Sequence, residues 1–166
     1  MSHSTISLPL ARADQLRQLG RHHQVPAAEL MDGYIRQAWD QAGFTPELPP
    51  FQIIDTRDDA TSAPRVAFSA PQADILEFTP AQAMQFANGI TDLLDGIASR
   101  FVVSGSCAGE RAGVVGEKRG RGFALKVAGS LVAGSQVTVI GLTTSVARDL
   151  ARLLADRAAK ATDWVS

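Results

Sequence analysis

The sequence predicts an α+β protein, with a small β-α-α head followed by a larger antiparallel α+β body. Three observations carry this expectation. A short alternating stretch, Thr5-Ile6-Ser7-Leu8-Pro9-Leu10, leads directly into two segments whose apolar residues recur at helical spacing. A proline-rich stretch follows, Gly43-Phe44-Thr45-Pro46-Glu47-Leu48-Pro49-Pro50. Beyond it, strand-like runs alternate with two amphipathic segments. The expected divisions are residues 1–43 for the head, 44–64 for a linker and polar loop, and 65–166 for the body.

The head is read element by element. Ile6, Leu8 and Leu10 share one face of an extended segment, and Thr5, Ser7 and Pro9 share the other. Leu16, Leu19 and His23 then predict a helix over residues 11–23. Leu30, Met31, Tyr34, Ile35 and Ala38 predict a second helix over residues 26–41. A lone strand leaves its edges unpaired. The simplest partner is the same strand of a second copy, which predicts a homodimer joined through the N-terminal strand.

This order resembles the ribbon-helix-helix family, the small repressors of the Arc, methionine-repressor and plasmid copy-control type. The resemblance covers roughly the first quarter of the chain. It rests on Thr5-Ile6-Ser7-Leu8 as ribbon, on Leu16, Leu19 and Gly20 in the first helix, and on Val25 in the turn. Leu30, Met31, Tyr34 and Ile35 stand at the core positions of the second helix. The resemblance implies that His3, Thr5 and Ser7 read base edges in the major groove of double-stranded DNA, as paired ribbons do. It also implies that the start of the second helix, at Ala27 and Ala28, lies near a phosphate. The sequence departs from the family in three ways. Gln24 replaces the usual turn glycine, Pro26 replaces the usual Ser or Thr, and the strand carries no Lys or Arg. Residues 1–45 hold four basic and four acidic residues, so the head is neutral. DNA affinity comes largely from phosphate neutralisation, so a neutral reader needs help from elsewhere. The alternative is an α-hairpin whose leading strand merely completes a sheet or a dimer.

In the body, the prolines of 43–50 forbid helix and favour an extended connection. Asp55–Pro64 reads as a second, polar loop. Aligning Val66–Asp95 with Ser130–Ala159 matches Gln72 with Gln136, Thr79 with Thr143, Ala83 with Ala147, Ala87 with Ala151 and Asp92 with Asp156. Each unit reads as hairpin strands, a threonine cap and an amphipathic helix, which suggests two β-β-α repeats flanking a cleft. The alternative is two independent helices covering one antiparallel sheet. Between the units, Arg100–Ser104 alternates as a strand and Gly105–Gly109 reads as a turn. Ala112–Val115 and Phe123–Val127 flank a hairpin tip at Lys118–Gly122, where glycines 116, 120 and 122 permit positive φ.

Charge is distributed unevenly. Residues 46–98 carry two basic and eight acidic residues, whereas residues 99–126 carry six basic and two acidic. Lys118, Arg119 and Arg121 therefore form a candidate basic arm that touches DNA phosphate and compensates the neutral head; the alternative is a solvated hairpin tip. A hydrophobic fraction of 45% with 20% charged residues is ordinary for a soluble globular protein. No apolar run approaches the roughly 18 residues of a membrane span, and no basic-then-apolar leader opens the chain. One cysteine, Cys107, excludes an internal disulfide and fits a cytoplasmic location.

Catalytic signals are poor. Gly120-Arg121-Gly122 lacks the spacing and the lysine of a phosphate loop. Ser104–Gly109 resembles a nucleophile turn, but no histidine follows residue 23. His22 and His23 are adjacent and point about 100° apart on a helix, unlike a metal-binding i, i+4 pair. Asp55, Asp58 and Asp59 form at most an acidic loop. The expected function is a DNA-binding transcriptional repressor without enzymatic activity, metal or cofactor, whose body sets the oligomeric state or docks a partner. The rival expectation is a protein-interaction module, such as an adaptor or antitoxin, whose head only dimerises.

Overall fold

The structure, a computed structural model, describes residues 7–44, 48–120, 122–129 and 137–163. The chain forms two compact units, Met1–Pro46 and Glu47–Ser166. Within the first, helix α1 spans Leu10–His23 and helix α2 spans Ala27–Gln41. Pro9 sits at the cap of α1 with φ −53° and ψ 141°, and its carbonyl accepts the N–H groups of Arg12 (2.9 Å) and Ala13 (3.0 Å). Gln24 ends α1 in the left-handed region at φ 58°, and the Val25 N–H returns to the Gly20 carbonyl at 2.9 Å. Gly20 is the one buried residue of α1. A Cβ there would press on the Val25 carbonyl, so glycine is what lets the turn close.

This order corrects the ribbon-helix-helix expectation. The described chain begins with two helices and only then enters strands, so no β-α-α head is present among the described residues. Ser7, Leu8 and Pro9 belong to no strand, and Leu10 opens α1 rather than closing a ribbon. His3 and Thr5 lie outside the described residues. The physical reason is Pro9. It donates no ladder hydrogen bond, and its fixed φ suits the entry to a helix. The alternation of Leu8 and Leu10 is the approach to that helix.

The second unit is mixed α and β. Its strands are β1 (Gln52–Arg57), β2 (Pro64–Ser69), β3 (Leu76–Phe78), β4 (Arg100–Cys107), β5 (Glu110–Arg119), β6 (Gly122–Ala128) and β7 (Val137–Leu142). They form one seven-stranded sheet in chain order, with every neighbouring pair antiparallel. Strand β1 and the start of β2 fall inside the 44–64 stretch read as linker and loop. Phe51, Ile53 and the Ile54–Ala67 pairing supply a strand pattern there that the surrounding prolines hid. The β4–β5 turn sits at Ala108 and Gly109 (φ 49° and 82°), within the expected Gly105–Gly109, while β4 runs on to Cys107. The β5–β6 turn falls at Gly120 (φ 58°), within the expected tip.

Helix α3 (Pro80–Leu94) and helix α4 (Thr144–Asp163) follow β3 and β7. Thr79 caps α3 through a reciprocal box: its hydroxyl accepts the Gln82 N–H (3.2 Å), and the Gln82 side chain accepts the Thr79 N–H (2.8 Å). The helices begin at Pro80 and Thr144, 64 positions apart as the internal alignment requires, but β2 and β6 do not keep that offset. Among the described residues the two expected halves share one sheet and one helix layer. The helices pack extensively on each other, α3 also on β2 through β5 and α4 on β1, β2 and β6. One sheet face therefore curves around a helix pair.

That face and the helices form the core. Val66, Phe68, Leu76, Phe78, Val103, Val114, Phe123, Leu125, Val127 and Leu142 alternate inward. Ala83, Phe86, Ile90 and Leu93 of α3 meet them, as do Leu150, Leu154 and Ala158 of α4. Phe86 lies at the centre, with its ring 5.3 Å from Phe68, 5.7 Å from Phe78 and 5.8 Å from Phe101. Phe86→Ala should lower the unfolding free energy by about 3–5 kcal/mol in a urea titration. Val102→Ala, on the opposite sheet face and 62% exposed, should change it by less than about 0.5 kcal/mol.

Candidate functional site

The described residues present three places where chemistry or recognition could reside. The first is the helical hairpin. Ser7 is exposed and precedes α1, outside any ribbon. Ala27 and Ala28 open α2, whose first backbone bond runs from the Leu30 N–H to the Pro26 carbonyl at 3.0 Å. The preceding N–H groups belong to the first helical turn, which has no intrahelical acceptor for them, and Ala27 lines an open cleft with Arg17, Arg21, Gln24 and Val25. The Arg17 guanidinium is held by Asp14 at 2.5 Å, both side chains more than half exposed.

The face of α2 is the more informative part. Leu30, Met31, Tyr34, Ile35, Ala38 and Trp39 recur at helical spacing, yet α2 has no buried residue. Tyr34 is 47% exposed, Ile35 53% and Trp39 38%; Phe44 packs its ring 4.8 Å from Trp39 and is itself 58% exposed. Such a stripe on a stable helix is ordinarily covered. Helical periodicity identifies these residues but assigns them to the core of a ribbon-helix-helix dimer. Their exposure could not be read from periodicity, which reports a face and not what meets it.

The second place is the outer face of the sheet, which α3 and α4 leave bare. Val102, Val115, Lys126 and Val139 stand in one cross-strand row. Val102, Val137 and Val139 are each at least half exposed. The signal available in the sequence was β7 itself, Val-Thr-Val-Ile-Gly-Leu, where apolar residues occupy both faces.

The third place is the basic end of β5. Lys118 and Arg119 are exposed, and Arg121 lies outside the described residues. Glu117 takes up much of this charge. Its carboxylate accepts Lys126 Nζ at 2.9 Å and Arg119 Nε at 2.7 Å, and the Lys126 bond, then the Arg119 bond, hold its pKa below the usual range. The expected basic arm is therefore a strand end with an internal counter-ion.

The remaining candidates resolve into structural roles. Cys107 ends β4, half-buried; burial, then Asp74, Glu110 and Glu77, raise its pKa and disfavour the thiolate. Among the described residues no group of three His, Cys, Asp or Glu side chains could hold a metal ion. Among them, too, no helix is long and apolar enough to cross a membrane. Asp55 and Asp58 face different partners. Asp55 meets Arg157 of α4 at 3.1 Å. Asp58 organises the β1–β2 turn: one oxygen accepts the N–H groups of Ala60 and Thr61 and the Thr61 hydroxyl, and the other accepts Arg65 at 2.9 Å.

These bonds, the Arg65 one foremost, bring the Asp58 pKa from 3.8 to about 2. A carboxylate depressed by folding stabilises the native state above its unfolded pKa and ceases to do so as pH falls through its folded one. The Asp58 contribution should therefore be complete above about pH 4 and vanish by about pH 2. Carboxyl NMR titration checks the pKa directly. Asp58→Asn should be less stable than wild type at pH 7, with the difference closing across that window.

No family model matches this chain, that of the ribbon-helix-helix repressors included, and no curated protein and no solved structure is significantly similar to it.

Proposed function

We propose that this protein is a protein-interaction module, with the α2 face of the helical hairpin as its docking element and the α+β unit as its folded body. The observation that carries this reading is the contrast within one chain. The body buries more than twenty apolar side chains, whereas α2 carries an apolar stripe and buries none of it. Aromatic and large aliphatic side chains clustered on one exposed helix face are the composition of an interface centre. Helix-in-groove docking uses such i, i+4 anchors. The module has no catalytic role in this reading, and its single, half-buried cysteine suits the cytoplasm.

A DNA-binding regulator is the second reading. With the ribbon gone, it rests on the exposed Lys118 and Arg119 at the end of the most basic stretch. Phosphate contacts there would be sequence-independent and salt-sensitive.

The two readings separate experimentally. A photo-crosslinking residue in place of Tyr34 should give discrete protein adducts in cells, and Ile35→Asp with Trp39→Asp should abolish them. Absence of any protein adduct would overturn the interaction reading. If DNA is bound instead, Lys118→Ala with Arg119→Ala should flatten the log–log salt dependence by about 0.9 for each phosphate no longer neutralised. In the interaction reading, that variant binds partners as wild type does.

A further inference from the structure

The two edges of the sheet are not alike. Strand β1 is guarded in several ways that natural edges use. Pro49 and Pro50 precede it, Asp55 and Arg57 charge it, and Asp55 is turned inward to the Arg157 of α4 at 3.1 Å. Strand β7 has none of these devices. Val137-Thr138-Val139-Ile140-Gly141-Leu142 holds no charge and no proline, and four of its six residues are β-branched. Among the described residues it pairs only with β6. Val137 and Val139 stand 51% and 54% exposed at the open end of the outer-face rows. In an antiparallel sheet an edge strand directs alternate N–H and C=O groups outward, and those groups need a partner.

We propose that the β7 edge is a self-association surface, where the β7 of a second copy adds antiparallel about a two-fold axis to continue the sheet across the dimer. This goes beyond the α2 reading, because it rests on a different element of the other unit. Three considerations select a second copy as the occupant. An uncharged strand laid against itself brings no like charges together, whereas β1 against β1 would desolvate its own Asp55 and Arg57. A β1-to-β7 contact would be head-to-tail and stops growing only where its rotation closes a ring, and it would have to use the guarded β1 edge; a two-fold β7 pair closes with two copies. The residue pattern also fits. A register centred on Val139 sets Val139 beside its counterpart and Thr138 beside Ile140, so that outward residues meet outward residues and inward meet inward. The outer-face row Val102–Val115–Lys126–Val139 then runs on into the same row of the second copy. Lys126 does not oppose this, because Glu117 already engages it at 2.9 Å.

The test uses the full chain in sedimentation equilibrium at micromolar concentration. Wild type should sediment as a dimer. Val139→Lys alone and Val139→Glu alone should each be monomeric, because each sets like charges face to face at the axis. Circular dichroism and the thermal midpoint of each should stay near those of the wild-type chain, since the side chain is more than half exposed. An equimolar mixture of the two variants should recover the dimer, because Lys then faces Glu. A monomeric wild-type chain overturns the proposal, as does a dimer that survives both substitutions. Failure of the mixture to reassociate overturns the two-fold register. A dimer abolished by Ile35→Asp with Trp39→Asp but kept by Val139→Lys also overturns it, while leaving the α2 docking reading in place. If Val139→Lys unfolds the chain, Val139→Cys keeps the side chain small and should give a disulfide-linked dimer on oxidation, whereas Val137→Cys, which this register sets beside Gly141 of the second copy, should not; the reverse result overturns the register.

Discussion

Phe86 is the contact on which the body depends. It projects from α3 into the inner face of the sheet and meets Phe68, Phe78 and Phe101, which belong to three different strands. A helix laid across a sheet gains most where large rings interdigitate, because each buries on the order of 150–250 Å². Phe101 reaches this cluster only because Gly89 of α3 and Gly116 of β5 lack side chains beside its ring; a Cβ at either position would enter the ring itself. Gly116 is thus a packing residue in the middle of a strand and has no part in the turn that follows. Helix α4 completes the layer through Leu150, Leu154 and Ala158, and its contacts near both ends of the strand order require the sheet to curve.

The rest of the surface follows from this one-sided core. Both helices cover the same face, so the other face carries valines, small residues and ion pairs in solvent. Glu117 holds Lys126 and Arg119 across that face. Such exposed pairs contribute little to stability. Their effect here is to give Arg119 and Lys126 a local counter-ion within a stretch that stays net positive. The Asp58 turn ties β1 to β2 through Arg65, and the Asp55–Arg157 pair ties β1 to α4. The guarded edge is therefore also the anchored one.

The hairpin follows a different logic. It has good helix-forming sequences, a turn closed by Gly20 and Gln24, and almost no interior. Two short helices without a core are marginal by themselves. A stripe of Tyr34, Ile35 and Trp39 on such a unit is the surface that the proposed docking role would use. Interaction through exposed apolar elements, with no catalytic constellation among the described residues, is the reading that both units share.

Much of the architecture was legible in the residues. Helical periodicity located α1 and α2, Thr79-Pro80 marked the start of α3, and the β5–β6 turn lay within its glycine-rich tip. These signals are local: spacing, caps and turn residues act within a few positions of the chain. Local signals failed where two structures share one pattern. Leu8 and Leu10 alternate as in a strand, but Pro9 converts that approach into a helix entry. Prolines around Phe51 masked β1, whose existence depends on its pairing with β2. The sequence by itself determined which residues are apolar, which turns can form and where charge accumulates. Only the tertiary structure decided that both long helices share one sheet face, that Glu117 pairs with Arg119 and Lys126, and that, among the described residues, Tyr34 and Ile35 of α2 and Val137 and Val139 of β7 stand exposed. Each of these depends on contacts between residues far apart in the chain, and periodicity along the chain carries no record of them.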